Sequence, residues 1–365
     1  MSKQRHIRTG RWSLLTAALS LAFSGATAAM EPVTIIDQGV FAAGGTVITA
    51  RGTYDPLHPQ TAGQTLHGDH ATIHYQVPQN PRQYPLFFLH GYGQHTRTWD
   101  STPDGRDGYR NIFLADGYPV YLINQPRRAD AGRATVTHTI NATPDDQFWF
   151  GQFRMGLWPD FYEGSAFPQD EASLDQFFRQ ITPDTAPFDL EVNTKAIVAA
   201  FDRVGDNIFV THSQGCNVGW QVGMNSDHLK ALVAYEPGMG FPFPEGEVPE
   251  PKDNNGFFGA NTPTTVPLEQ FMKLTRYPIV IFYGDFIPEQ ASDNPYQDFW
   301  RVAVEMAREF AACINRHGGD AQVIELPDMG IKGNSHFLFA EKNNEQVAKV
   351  LQDWLHYKNL DGRAQ

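Results

Sequence analysis

Cysteine is scarce in this 365-residue chain, which holds only Cys216 and Cys313. Two cysteines cannot build a disulfide framework, so the fold must rest on an apolar core. Each reads more simply as a small buried side chain than as half of a bridge. Basic charge is short too: 28 Lys and Arg stand against 41 Asp and Glu, a net charge of −13. Such an acidic chain repels nucleic acid and anionic lipid, so neither is expected as a partner. No internal repeat or linker divides the sequence, and the one biased tract is the Pro- and Glu-rich segment 242–251. Beyond the N-terminus no apolar run is long enough to span a bilayer, so the mature chain is not expected to be held in a membrane. With 41% hydrophobic and 13% aromatic residues, disorder is excluded as a global state.

What is present begins with an export signal. Lys3, Arg5, Arg8 and Arg11 form a basic region without an acidic residue, and the apolar run 13–23 follows. Ala26-Thr27-Ala28 then supplies the small-residue cleavage pattern, which predicts a cleaved signal peptide over residues 1–28. Loss of its four basic residues takes the net charge from −13 to −17. Export to the periplasm or the medium is the expected localisation. Residues 29–365 are expected to form one catalytic domain, and a homodimer is compatible with the sequence.

Short β-rich runs come first, at 33–40, 46–51 and 71–77, with Gly39, Gly44 and Gly45 read as turn signals between the first two. Continuous apolar runs follow at 86–89, 118–124, 207–210, 231–235, 279–283 and 322–326, the pattern of strands buried on both faces. Helical spacing falls between several of them, at 194–203, 298–315 and 344–356. This alternation predicts an α/β fold: a mainly parallel central sheet with helices on both faces and extra N-terminal strands. Two stretches interrupt it. Residues 128–190 are crowded with aromatics and read as a cap insertion, while 238–267, rich in Pro, Gly and Glu, read as an excursion between strands.

The decisive segment is Asn207 to Trp220, NIFVTHSQGCNVGW, in which a buried strand runs into Thr211-His212-Ser213-Gln214-Gly215 and then a helix. This is the nucleophile-elbow pattern G-x-S-x-G of the α/β-hydrolase fold, with Thr211 in place of the first glycine. Small residues flank the serine because the chain must turn sharply there, lifting its Oγ above the sheet at the positive end of the helix. A serine needs a base, and the base needs an orienting carboxylate. His336 is the histidine of the loop between the last strand and the C-terminal helix, where this fold carries its base. Two carboxylates sit at strand ends: Asp285 after 279–283 and Glu236 after 231–235. The residues alone leave both open, with Asp285 slightly favoured. The oxyanion hole is expected from the amide of Gln214 and, in the loop His90-Gly91-Tyr92-Gly93, the amide of Tyr92.

The chain resembles the family of exported bacterial esterases typified by the Alcaligenes esterase, over most of the mature length. Four stretches carry the likeness: His90-Gly91 with Thr98-Trp99-Asp100 and 102–106; His212-Ser213-Gln214; Glu236-Pro237-Gly238; and Gly333-Asn334-Ser335-His336 with Asn343-Asn344. The resemblance implies a Ser-Glu-His triad, making Glu236 the acid and Asp285 a supporting residue. It also implies a rigid pair of successive cysteines after His-Gly, but this chain has Tyr92 and Gly93 there.

The expected chemistry is acyl transfer through Ser213, with no metal or cofactor required. The partner would be a small-molecule ester, apolar or aromatic, in a pocket lined by some of Phe148, Trp149, Phe153 and Trp158 of the cap. Thioester, amide or carbon–carbon cleavage by the same triad are alternative enzyme readings. A silent binding protein on the hydrolase scaffold is the non-enzymatic one.

Overall fold

The computed structural model describes residues 32–364, so the signal-peptide segment 1–28 lies outside the described residues. Eight strands form the central sheet: β1 (Ile35–Thr49), β2 (Thr65–Pro78), β3 (Leu86–Leu89), β4 (Val120–Asn124), β5 (Asn207–His212), β6 (Leu229–Tyr235), β7 (Pro278–Tyr283) and β8 (Asp320–Glu325). Their order is β1-β2-β4-β3-β5-β6-β7-β8. The first two pairings, β1 with β2 and β2 with β4, are antiparallel, and every later one is parallel. Among the helices are α1 (Tyr109–Ala115), α2 (Asp146–Gln152), α3 (Glu171–Arg179), α4 (Leu190–Val204), α5 (Gln214–Asn225), α6 (Pro295–Arg316) and α7 (Asn344–Tyr357).

The inner parallel strands are mostly apolar because both faces are covered, whereas the edge strand β8 is half-exposed and carries Asp320, Gln322 and Glu325. Successive side chains alternate between two cores. Phe87 and Leu89 of β3 and Phe209 of β5 join residues of α4, α5 and α6 on one face. Leu86 and Phe88 of β3, with Ile208 and Val210 of β5, join α1 and α7 on the other. Cys216 and Cys313 are buried and unbridged. No helix among the described residues is long and apolar enough to cross a membrane.

One expectation about the N-terminal strands needs correcting. The runs 33–40 and 46–51 are one continuous strand, β1, paired with β2 along its length, not two strands separated by a turn. Gly44 and Gly45 do take positive φ, 64° and 96°, but inside the strand. Gly44 is small because α4 crosses there, and a Cβ on it would lie 2.6 Å from Ala196 Cα; one on Gly45 would lie 2.8 Å from the Gly68 carbonyl oxygen of β2. Glycine served close approach rather than chain reversal.

Segment 128–190 leaves the sheet after β4 and contains α2, a two-residue ladder (Gly156–Leu157 with Asp160–Phe161) and α3. The excursion 238–267 carries a short parallel ladder, Pro242–Pro244 with Thr264–Val266. Both lie after the C-terminal ends of strands, where open α/β sheets hold their ligands.

Candidate active site

β5 ends at His212, and α5 begins at Gln214, so Ser213 alone makes the turn, with φ 53° and ψ −122°. A non-glycine residue held there is strained, and such strain gathers at functional turns. Close packing enforces it. A Cβ on Gly215 would lie 2.6 Å from the His90 carbonyl oxygen, and one on Gly91 would lie 2.7 Å from Ser213 Cβ. Thr211 fits in place of the usual glycine because α5 yields opposite it: a Cβ on Gly219 would come within 3.0 Å of Thr211 Cγ2. Its hydroxyl donates to the Val233 carbonyl at 3.1 Å.

His336 lies in the loop after β8, fully buried, with Nδ1 3.3 Å from Glu236 Oε2. Two neighbours fix its backbone. The Phe153 carbonyl accepts its N–H at 2.9 Å, and His212 Nε2–H donates to its carbonyl at 3.0 Å. The Phe153 ring stacks on the imidazole, centroids 5.3 Å apart and planes within 9°. His336 Nε2 has no hydrogen-bond partner among the described residues, and His336 and Ser213 line the same cavity.

Glu236 is the carboxylate that meets the imidazole, and Asp285 is not. Asp285 accepts from the backbone amides of Phe286 at 2.7 Å and Gly333 at 2.8 Å, so it caps the histidine loop instead. Glu236 takes φ 56° at the end of β6, which turns its side chain across the sheet edge. Besides His336, Oε1 accepts the Gly284 amide at 2.6 Å. The Arg154 guanidinium then grips both oxygens, Nη2 to Oε1 at 2.8 Å and Nη1 to Oε2 at 2.9 Å. Both partners are 0% exposed. Burial pushes the Glu236 carboxyl upward, but Arg154 and the bond to His336 outweigh it and leave the group below its ordinary value. Burial also lowers the basicity of His336. Its bond to Glu236 opposes that, and the net direction is down.

A cavity of about 410 Å³ opens at the serine. Trp149 and Phe153, both expected there, do line it, together with Tyr92, Phe258, Phe299 and Trp300. Phe148 and Trp158 do not. Phe148 turns its ring to Phe257, Phe258 and Tyr296, and Trp158 packs edge-on against Phe150. Aromatic density marked the segment but not the side each ring faces. Phe258, from the Pro-rich excursion, and the α6 residues Phe299 and Trp300 were missed. Their only sequence signal was apolarity, which a core position shares.

The chain aligns with "Probable secreted lipase phiG" of Fungal sp. (strain ATCC 74256) at 30% identity over 324 residues, covering 76% of this chain and 84% of that one. A solved structure described as a novel bacterial esterase superposes with a TM-score of 0.71 and 26% identity, over 90% of this chain and 98% of that one. The chain belongs to the esterases and lipases of the α/β-hydrolase superfamily. No family model matches it. It is a serine-type carboxylic-ester hydrolase on a mainly parallel sheet.

In this esterase the motif residues beyond Ser213, Glu236 and His336 are girders. Arg106 donates to the Glu341 carbonyl at 2.9 Å and to Asn344 Oδ1 at 2.8 Å, tying segment 102–106 to the start of α7. Glu341, buried beneath the histidine loop, accepts Ser335 N–H at 2.8 Å and Asn334 Nδ2–H at 2.7 Å. Burial pushes its carboxyl up to about 7. The loop with Tyr92 and Gly93, which lacks the family's paired cysteines, is held by a buried arginine instead. Arg128 Nη1 donates to the Gly91 carbonyl at 3.0 Å and the Gln94 carbonyl at 3.3 Å, and its Nε is anchored on Asp184 at 2.7 Å. His90 Nδ1, 3.0 Å from the same Gly91 oxygen, adds to the hold. The amides of Tyr92 and Gln214 donate to no backbone carbonyl among the described residues, and both residues border the cavity.

Proposed function

We propose that the esterase works through an acyl-enzyme on Ser213, with His336 as general base and then acid, and Glu236 as the carboxylate that orients it. The observation that carries this reading is a serine at a strained elbow, opening on one cavity with an imidazole whose Nδ1 is bonded to a buried carboxylate. With Nδ1–H given to Glu236, Nε2 is the basic nitrogen. It takes the Ser213 proton as Oγ attacks the ester carbonyl. The oxyanion is held by the amides of Tyr92 and Gln214, the latter at the positive end of α5. His336 returns the proton to the leaving alkoxide, then draws one from water as its oxygen attacks the acyl-enzyme, and gives that proton to Ser213 Oγ as the C–Oγ bond breaks and the acid leaves. Contacts in a resting site are commonly longer than in the reacting complex, and tighten on substrate binding.

The aromatic walls support an apolar or aromatic ester as substrate, and the volume falls within the range of small-molecule pockets, roughly 300–1,000 Å³. Ser213→Ala should abolish turnover of p-nitrophenyl esters and labelling by a fluorophosphonate, with an unchanged melting curve. Retained turnover in that variant refutes the assignment. The same panel run with anilides and thioesters should show ester preference. The basic-apolar-small pattern of residues 1–28 and the word "secreted" in the fungal relative's name support export. Cleavage after Ala28 leaves Ala29 as the first residue, which N-terminal sequencing of the exported protein reads directly.

A further inference from the structure

We propose that Arg154 is a positioning residue of catalysis: it locks the Glu236 carboxylate in place and offsets its charge beside His336. This rests on the triad reading above and goes beyond it, because the arginine comes from the 128–190 insertion and touches neither serine nor imidazole by hydrogen bond. Glutamate has one more side-chain torsion than aspartate, so a glutamate that orients a histidine must be immobilised by something else. Here the guanidinium fork does so with two parallel bonds, at 2.8 and 2.9 Å. The fork is itself fixed. Arg154 takes φ 55°, its Nε donates to the Asp285 carbonyl at 3.1 Å, and its plane lies over the Trp300 ring, 4.7 Å from the centroid. A buried ion pair of this kind adds little net stability over an apolar substitute. Its cost is justified by geometry and charge at the site.

The charge argument gives a direction. A lone buried carboxylate beside His336 favours imidazolium, and the arginine opposes it. The titratable groups near the pair include His212 from β5, Cys216 from α5, Tyr283 from β7, Tyr162 from the insertion, Asp285, whose carbonyl accepts Arg154 Nε, and Glu341 below the loop. Burial holds His212 neutral and keeps Cys216, Tyr283 and Tyr162 protonated, while it pushes the Glu341 carboxyl up to about 7. Glu341→Gln removes its share from the comparison.

The test is the pH profile of kcat/KM for Arg154→Met and Arg154→Lys, each also made in the Glu341→Gln background. In Arg154→Met the acidic limb should move to higher pH by about one unit or more, because the cation bonded to the same carboxylate oxygen that meets His336, Glu236 Oε2, is lost. Its kcat should fall about tenfold to a hundredfold with KM little changed. Arg154→Lys keeps the charge but not the fork, so its acidic limb should stay near that of the parent and its kcat should lie between the two. A folded Arg154→Met with the parental limb and kcat overturns the proposal. If that variant does not fold, Arg154→Lys decides: a limb displaced upward by a unit, or a kcat equal to the parent's, overturns it. Ser213→Ala and Glu236→Gln, assayed alongside, separate two kinds of failure. Inert controls with an unaltered Arg154→Met sink this proposal alone, whereas active controls sink the triad and the proposal together.

Discussion

Gly91→Ala adds one methyl group at the most crowded point of the site. The new carbon would lie 2.7 Å from Ser213 Cβ, and 3.1 Å from both His212 Nδ1 and the His212 carbonyl oxygen. Carbon atoms pack comfortably at roughly 3.5–4.0 Å, so loop and elbow must part by close to 1 Å. Gly91 does not occupy the left-handed region, so alanine can adopt its backbone conformation and the cost is one of contact. The elbow is pinned by β5, α5 and the Ser213 N–H bond to the Tyr235 carbonyl at 2.9 Å, so the 90–94 loop should yield. That loop carries the Tyr92 amide proposed for the oxyanion hole. A displacement of that size costs about 100-fold in turnover, and loss of the donor about 100- to 1,000-fold. Overpacking should cost the fold only about 1–3 kcal/mol. Steady-state kinetics on a p-nitrophenyl ester, with a thermal melt, should therefore report a large loss of kcat in a folded protein. Gly362→Ala, where an added Cβ meets nothing within 4 Å, is the control. A Gly91→Ala enzyme with parental kcat would show that this loop does not set the oxyanion geometry.

Arg128→Met should free the Gly91 and Gln94 carbonyls from their buried donor, lowering kcat more than it raises KM; an unchanged kcat would mean that His90 alone holds the loop. The acidic limb of kcat/KM should have its midpoint below 6.5, because burial, together with the Arg154 charge, depresses His336 by more than Glu236 restores and the base-competent neutral ring survives to lower pH. A midpoint above about 7 contradicts that balance.

What was legible in the sequence was what is local. The elbow could be read because strand, turn and helix lie within fourteen residues, and Thr211 was the only departure. The inner parallel strands could be read because burial on both faces removes most polar residues from them. The acid could not be chosen from residues alone, since β6 and β7 are neighbours and each ends in a carboxylate. Backbone conformation separates them: φ 56° sends Glu236 to the imidazole, while Asp285 is taken up by amides of its own and the histidine loop. Arg154 was invisible. It stands 82 positions from Glu236, in a segment whose aromatic content drew attention to rings and away from charge. Arg128 was equally hidden, although the missing cysteines left a question that it answers.

Residues 128–190 first looked like a covering laid over finished machinery. Yet this segment lends the Phe153 carbonyl to the His336 backbone, the Arg154 fork to Glu236 and the Arg128 guanidinium to the Gly91 loop. Specificity wall and working parts are therefore one casting. A designer who wished to retune this enzyme by exchanging that stretch for another would have to carry both arginines and the Phe153 backbone across intact, and point changes to the rings facing the cavity are the safer route.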